Sequence, residues 1–255
     1  MNSSNVFSLI LATGASFALW RVVIVSPSAQ RIHWLLAGLI SLFGALLGAR
    51  VGYVLEHFHY FSLNPNQTLQ FWQGGLSWIG ALAGAIALLL LVARVWQWPF
   101  WVVLDQLSRM VLPLGIATWL ACWQSGAAYG ISLQEGTWWG IRALDESGQF
   151  GLHSPVQPVA VLSLLVFIGV LELLLNKTDA PGLRGSLVFL VFSADMLLFS
   201  FLRADPAQFW LGLRIETWAA MVYTLIGIVI TIEVLLRAKH LRFDRSFTKV
   251  LITRK

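Results

Sequence analysis

Gly74-Gly75-Leu76-Ser77-Trp78-Ile79-Gly80-Ala81-Leu82-Ala83-Gly84-Ala85 opens an apolar run that continues to residue 95. A helix needs about 20 apolar residues to cross the hydrocarbon core of a bilayer. Small residues on such a helix let a second helix come close. The matching stripe lies upstream, at Gly38, Gly44, Ala45, Gly48 and Gly52, so these two stretches are expected to pack together. Working outward, apolar stretches occur near 5–25, 32–55, 75–95, 101–122, 156–175, 183–202 and 216–236. The pattern predicts one all-α integral membrane domain over 1–255 with seven transmembrane helices and no separate soluble domain. No basic residue precedes the first stretch, and Arg21 and Arg31 follow it, so it is expected to be a retained span rather than a cleaved signal.

Composition supports the same class. Apolar residues make up 58% and charged residues 11%, against about 25% charged in soluble domains. Thirteen tryptophans suit aromatic belts at two membrane interfaces. The single cysteine, Cys122, excludes an intramolecular disulfide framework. Net charge is +5, and Arg237, Lys239, Arg242, Arg245, Lys249, Arg254 and Lys255 all follow the last span. This basic tail, 237–255, reads as a topology signal, not a nucleic-acid surface. Arg21, Arg31, Arg94, Arg109, Lys177 and Arg184 fall on its side, whereas Arg50, Arg142, Arg203 and Arg214 fall on the other. The N-terminus is therefore expected outside and the C-terminus in the cytoplasm.

The longer connections lie on the outer side. Residues 56–74 are aromatic, with Phe58, Tyr60, Phe61, Phe71 and Trp72, and read as an interfacial segment. Residues 123–155 form the largest non-spanning piece, a loop-rich extracytoplasmic cap carrying Glu135, Arg142, Asp145, Glu146 and His153 among six glycines. Residues 203–215 hold Arg203, Asp205 and Arg214.

Several blocks resemble, in order, the signatures of the prolipoprotein diacylglyceryl transferase family. Trp72-Gln73-Gly74-Gly75-Leu76-Ser77-Trp78-Ile79-Gly80 resembles W-x-G-G-M-S-F-H-G-G, with Gly48-Ala49-Arg50-Val51-Gly52-Tyr53-Val54 before it. Leu112-Pro113-Leu114-Gly115 resembles the lead-in to G-R-I-G-N-F-I-N-G-E-L-W-G. Pro155-Val156-Gln157 resembles H-P-x-Q, and Phe201-Leu202-Arg203-Ala204-Asp205-Pro206 the end of the penultimate helix.

The resemblance implies a seven-span enzyme of the bacterial cytoplasmic (inner) membrane that transfers diacylglycerol from phosphatidylglycerol to a prolipoprotein cysteine. In that reaction the thiolate attacks a glycerol carbon and glycerol phosphate leaves. A proton must be removed and the departing phosphate stabilised. This chain departs from the signatures at polar positions. Ile79 stands at the histidine, Trp119 at the central arginine, and Cys122 and Ser125 at the asparagines. Ala127 stands at a glutamate, and Ser154 at the H-P-x-Q histidine, next to His153. Met196 and Ser200 stand at the arginine and glutamate of R-F-x-x-E-x-x-R, of which Arg203 keeps the last arginine.

Two functions follow. One is a degenerate relative that keeps a phospholipid-binding cavity and acts as a lipid-binding, scaffold or assembly subunit. The other is an active transferase using phosphatidylglycerol and a lipoprotein precursor. The substitutions favour the first. Headgroup candidates are Arg50, Gln73, Gly74, Gly75, Ser77, Asp195 and Arg203. Asp195 lies at membrane depth, where an ionisable group needs a partner, and Arg50 is one candidate partner. Glu172, Glu216 and Glu233 sit near span ends, where charge is cheap. His57 and His59 fall short of a metal site, and no cofactor is expected. A transporter would need an inverted repeat, which is not visible.

Overall fold

The computed structural model describes residues 3–70, 74–145, 147–175 and 180–252, with side chains described over 6–239 of these. Phe71, Trp72, Gln73, Glu146, Lys177, Arg254 and Lys255 lie outside the described residues, so Gln73 has no structural account as a headgroup candidate.

Nine α-helices are described: α1 Ser3–Val25, α2 Arg31–Glu56, α3 Phe58–Leu63, α4 Trp78–Val95, α5 Phe100–Leu107, α6 Val111–Ser125, α7 Val156–Leu174, α8 Leu183–Ser200 and α9 Ile215–Ile252. Seven segments are long and apolar enough to cross a membrane, α5 and α6 together forming one. The seven expected spans are therefore present. The last helix does not stop at residue 236. It continues through most of the basic tail as one rod.

Helix contacts run α4–α2–α1–α6–α7–α8–α9 and close from α9 back to α4. The tightest seam joins α2 and α4. A Cβ on Gly48 would lie 2.8 Å from the Gly84 Cα, and one on Gly52 2.9 Å from the Gly80 Cα. Glycine is required here because backbone, not side chain, occupies the neighbouring space.

The α4 helix begins at Trp78 rather than at 75. Gly74 and Gly75 have φ of +90° and +74°, which a right-handed helix cannot contain. Ser77 is extended, and its amide donates to the Ala49 carbonyl at 3.0 Å.

The fourth span is broken by a 3₁₀ turn at Ser108–Met110. Pro113 has no N–H for the carbonyl of Arg109, four residues back. The Arg21 guanidinium donates to that carbonyl instead, at 3.2 Å. Asp105 on α5 caps α8 from across the bundle, accepting from the amides of Gly182 at 2.6 Å and Gly185 at 2.7 Å. A side-chain cap of this kind contributes about 0.5–2 kcal/mol.

Opposite this short-loop end, segments expected to be loops form two hairpins. Strands β1 Ile141–Leu144 and β2 Phe150–His153 pair antiparallel, with Ile141 opposite His153. Asp145 Oδ1 accepts from the Ser147 hydroxyl at 2.6 Å and the Gln149 amide at 2.8 Å, holding this exposed carboxyl below the usual range. Strands β3 Phe209–Trp210 and β4 Leu213–Arg214 are joined by Leu211 and Gly212, both at positive φ. That pair of conformations makes a two-residue hairpin turn whose twist matches the strands. Bridges tie the hairpin-end loops together: Gly130 pairs with Arg203, Ser132 with His153, and the Ala204 amide donates to the Tyr129 carbonyl at 2.8 Å.

Candidate functional site

A charged cluster sits where α8 ends and the second hairpin folds back. Arg203 makes a bidentate pair with Asp205, Nε to Oδ1 at 2.9 Å and Nη2 to Oδ2 at 2.6 Å. Its Nη1 reaches Glu216 at 2.9 Å. Arg214 contacts the same two carboxylates at 3.2 and 3.4 Å and donates to the Asp205 carbonyl at 2.8 Å. Desolvation opposes charge on Arg203, but Asp205 and Glu216 outweigh it and raise the guanidinium pKa further. The cavity here, about 430 Å³, is lined by Ser200, Arg203, Asp205, Phe209, Arg214 and Thr217. Two planar guanidiniums and two carboxylates offer both donors and acceptors to one polar ligand.

The hairpin explains why the cluster forms. Arg203-Ala204-Asp205 and Arg214-Ile215-Glu216 are two arginine-x-acid pairs, and the β3–β4 turn lays one over the other. From sequence alone Arg203 is a headgroup candidate, whereas Arg214 is only an outer charge and Glu216 sits at a span end where charge is cheap. The repeated spacing was the available signal.

The other candidates do not join it. Arg50 donates from Nε to the Thr68 carbonyl at 2.7 Å and from Nη2 to Gln67 at 2.6 Å. Its Nη1 donates to the carbonyls of Gly74 and Gly75 at 2.8 and 3.1 Å. The guanidinium also stacks over Phe61 and Tyr53, 5.2 and 5.8 Å from the ring centroids. Arg50 thus fastens the loop before α4, and Gly74 and Gly75 point carbonyls at it. Ser77 hydrogen-bonds Glu56 at the end of α2. Asp195 accepts from Ser163 on α7, while its Oδ2 is buried without a partner. The suggested Asp195–Arg50 pair is not formed, because each group is held by a different element. Arg50, Asp195 and Arg203 occupy three environments that no described hydrogen bond or ion pair connects.

Several of the positions where the signatures place polar groups hold packed apolar side chains instead. Trp119 is 4% exposed and meets Phe199 edge-on at 5.7 Å. Trp119, Met196 and Phe199 belong to one core, with Cys122, Trp78 and Phe192 packed against it. The Ile79 carbonyl accepts from the Tyr223 hydroxyl at 2.9 Å. The Ser200 hydroxyl donates to the Leu197 carbonyl, and Gln157 donates to Ala127 at 3.0 Å. Trp119, Cys122, Ile79 and Met196 line neither the 430 Å³ cavity nor a second, of about 620 Å³, beside α1. His153, buried beside Ser154, has its Nδ1 3.3 Å from the Gly130 carbonyl and its ring against Tyr129 at 5.1 Å.

Fold and site define a multi-pass helical membrane protein with a hairpin-capped charged cavity at one end. Residues 3–233 match the family described as prolipoprotein diacylglyceryl transferase, and the chain belongs to that family. Among its relatives, the phosphatidylglycerol–prolipoprotein diacylglyceryl transferase of Pasteurella multocida is 28% identical over 65% of this chain and 60% of its own. The like-named protein of Polynucleobacter asymbioticus is 28% identical over 86% of each. That of Sinorhizobium medicae is 27% identical over 70% of this chain and 63% of its own. The matched part thus spans under two thirds of the Pasteurella and Sinorhizobium proteins.

Proposed function

We propose that this chain is a family member that binds phospholipid without transferring it. The observation carrying the reading is the packed core around Trp119, Met196 and Phe199. Diacylglyceryl transfer needs a base for the thiol and cations or donors for the departing phosphate. General acid–base help is worth about 10²–10⁴ in rate, and one preorganised donor about 10²–10³. An indole, a thioether and an aliphatic side chain supply neither.

The lipid headgroup is assigned to Arg203 and Arg214, with Asp205 and Glu216. Guanidiniums grip a phosphate, and carboxylates accept hydrogen bonds from the hydroxyls of a glycerol headgroup. Phosphatidylglycerol offers both groups. In this reading the hairpin end lies outside and the long C-terminal helix in the cytoplasm of the bacterial inner membrane, which the distribution of Lys and Arg supports. Lipoprotein precursors or other membrane subunits are the protein partners this position allows. The second reading, an active transferase, draws its support from the family match across residues 3–233.

A titration with short-chain phosphatidylglycerol and phosphatidylcholine, followed by thermal shift, tests the headgroup assignment. The chain should prefer phosphatidylglycerol. Arg203→Gln with Asp205→Asn leaves no unpaired charge and should weaken that binding about tenfold, the scale of one charge-assisted contact. Equal affinity for the two lipids, or no change in the double variant, would refute it.

A further inference from the structure

The β3–β4 hairpin has a charged stem and an uncharged tip. Asp205 and Arg214 at the stem are ion-paired and largely buried. Between them, Pro206-Ala207-Gln208-Phe209-Trp210-Leu211-Gly212-Leu213 carries no charge. The large apolar side chains of the tip point outward: Phe209, Trp210 and Leu211 are 66%, 59% and 74% exposed. Where α8 ends, Phe201 and Leu202 are exposed too. A cluster of this kind marks a contact surface. The turn residues agree. A two-residue hairpin turn facing water favours Asn-Gly or Asp-Gly, and this one is Leu211-Gly212, with the leucine at φ +49°.

The position of the tip decides what it contacts. The hairpin joins α8 to α9, both long and apolar enough to cross a membrane. It does not stand away from them. The Trp210 ring meets the Trp218 ring edge-on at 5.5 Å, and the Trp210 carbonyl accepts from the Trp218 indole N–H at 2.9 Å. Trp218 lies in the first turn of α9, inside the spanning segment Ile215–Lys239. Val222 and Leu225 follow it on the same helix face, and both are exposed. The tip is therefore continuous, through Trp218, with a surface that α9 turns to lipid. Tryptophan suits the boundary between headgroups and acyl chains, where its ring is apolar and its N–H still needs an acceptor. A backbone carbonyl entering lipid needs a donor from the protein, and Trp218 supplies one.

We propose that the β3–β4 tip is a wedge inserted in the lipid surface. Phe209, Trp210 and Leu211 enter the headgroup–acyl boundary of the leaflet at the hairpin end, and the paired charges of the stem stay at its edge. The partner is the leaflet itself, held by apolar contact without headgroup recognition. The contact is therefore independent of which ligand the Arg203 cavity takes. Phe209, Gly212 and Leu213 also wall that cavity, so the inserted tip sets the cavity at the level of the headgroups.

The full chain carrying Leu211→Cys, labelled there with nitrobenzoxadiazole and reconstituted in phosphatidylcholine nanodiscs, reads the depth of the tip. Gln149→Cys, at the exposed β1–β2 turn beside Asp145, is the water-facing reference. The unsubstituted chain corrects for label on Cys122. Emission from residue 211 should be blue-shifted against that from residue 149. It should be lost to lipid spin-labelled near the headgroup and survive aqueous iodide. Loss to iodide with none to spin-labelled lipid places the tip in water and overturns the proposal. Protection from both quenchers also overturns it, because a protein surface, whether a second copy or another chain, then covers the tip. Phe209→Cys should report the same depth, and it carries the test if Leu211→Cys does not fold.

Discussion

Leucine in place of Gly48 should abolish the folded bundle. Its first carbon alone would lie 2.8 Å from the Gly84 Cα and 3.0 Å from the Gly84 nitrogen. These atoms are backbone of the partner helix, so no rotamer change relieves the clash and α2 must move away from α4. Overpacking commonly costs about 1–3 kcal/mol where side chains can yield. Here the cost should be about 3 kcal/mol or more, and the monodisperse detergent-solubilised protein should be lost. Gly169→Leu on α7 is the control, because a Cβ there meets nothing within 4 Å, and leucine favours a helix over glycine. If Gly48→Leu purifies and melts like the wild type while Gly169→Leu does too, the close α2–α4 seam is wrong.

Arg50→Met should be nearly as damaging. Four carbonyls, those of Gln67, Thr68, Gly74 and Gly75, lose their donor at once. A donor or acceptor left unsatisfied in a buried place costs roughly 1–3 kcal/mol, so a loss of about 3 kcal/mol or more is expected. Amide exchange should accelerate at Ser77 and in the first turn of α4, and the melting temperature should fall. Arg50→Lys should rescue little, because one ammonium cannot replace a planar fork reaching three directions. A melting temperature unchanged in Arg50→Met, with weakened lipid binding, would instead make Arg50 a headgroup ligand.

The spans and their closest seam were legible because both rest on one-dimensional patterns. Apolar length predicts a spanning helix, and glycines four apart, as at Gly44, Gly48 and Gly52, predict close approach. The hairpins were not legible. Strands β3 and β4 are two residues each, too short for alternation to show, and their turn places Leu211 at a positive φ that no residue type advertises.

Partners of charged residues were the weakest part, since they depend on where loops return. Sequence makes Asp195 or a phosphate a candidate partner of Arg50, yet the loop before α4 folds back and offers carbonyls. Glu172 does lie in the last turn of α7, as expected of a charge near a span end, and its partner there is Arg21 of α1. The substitutions at the signature positions, by contrast, foretold their surroundings. Trp119 and Met196 are core-forming residues, and both lie in the core.

The central claim is that this packed core carries out no diacylglyceryl transfer. Expression of the full chain in cells depleted of their own transferase tests it most directly, with prolipoprotein modification followed by gel shift and mass spectrometry. The account predicts that the protein accumulates in the membrane, unmodified prolipoprotein persists and growth is not restored. Appearance of diacylglyceryl-modified lipoprotein, dependent on this chain, would contradict it and establish the active transferase.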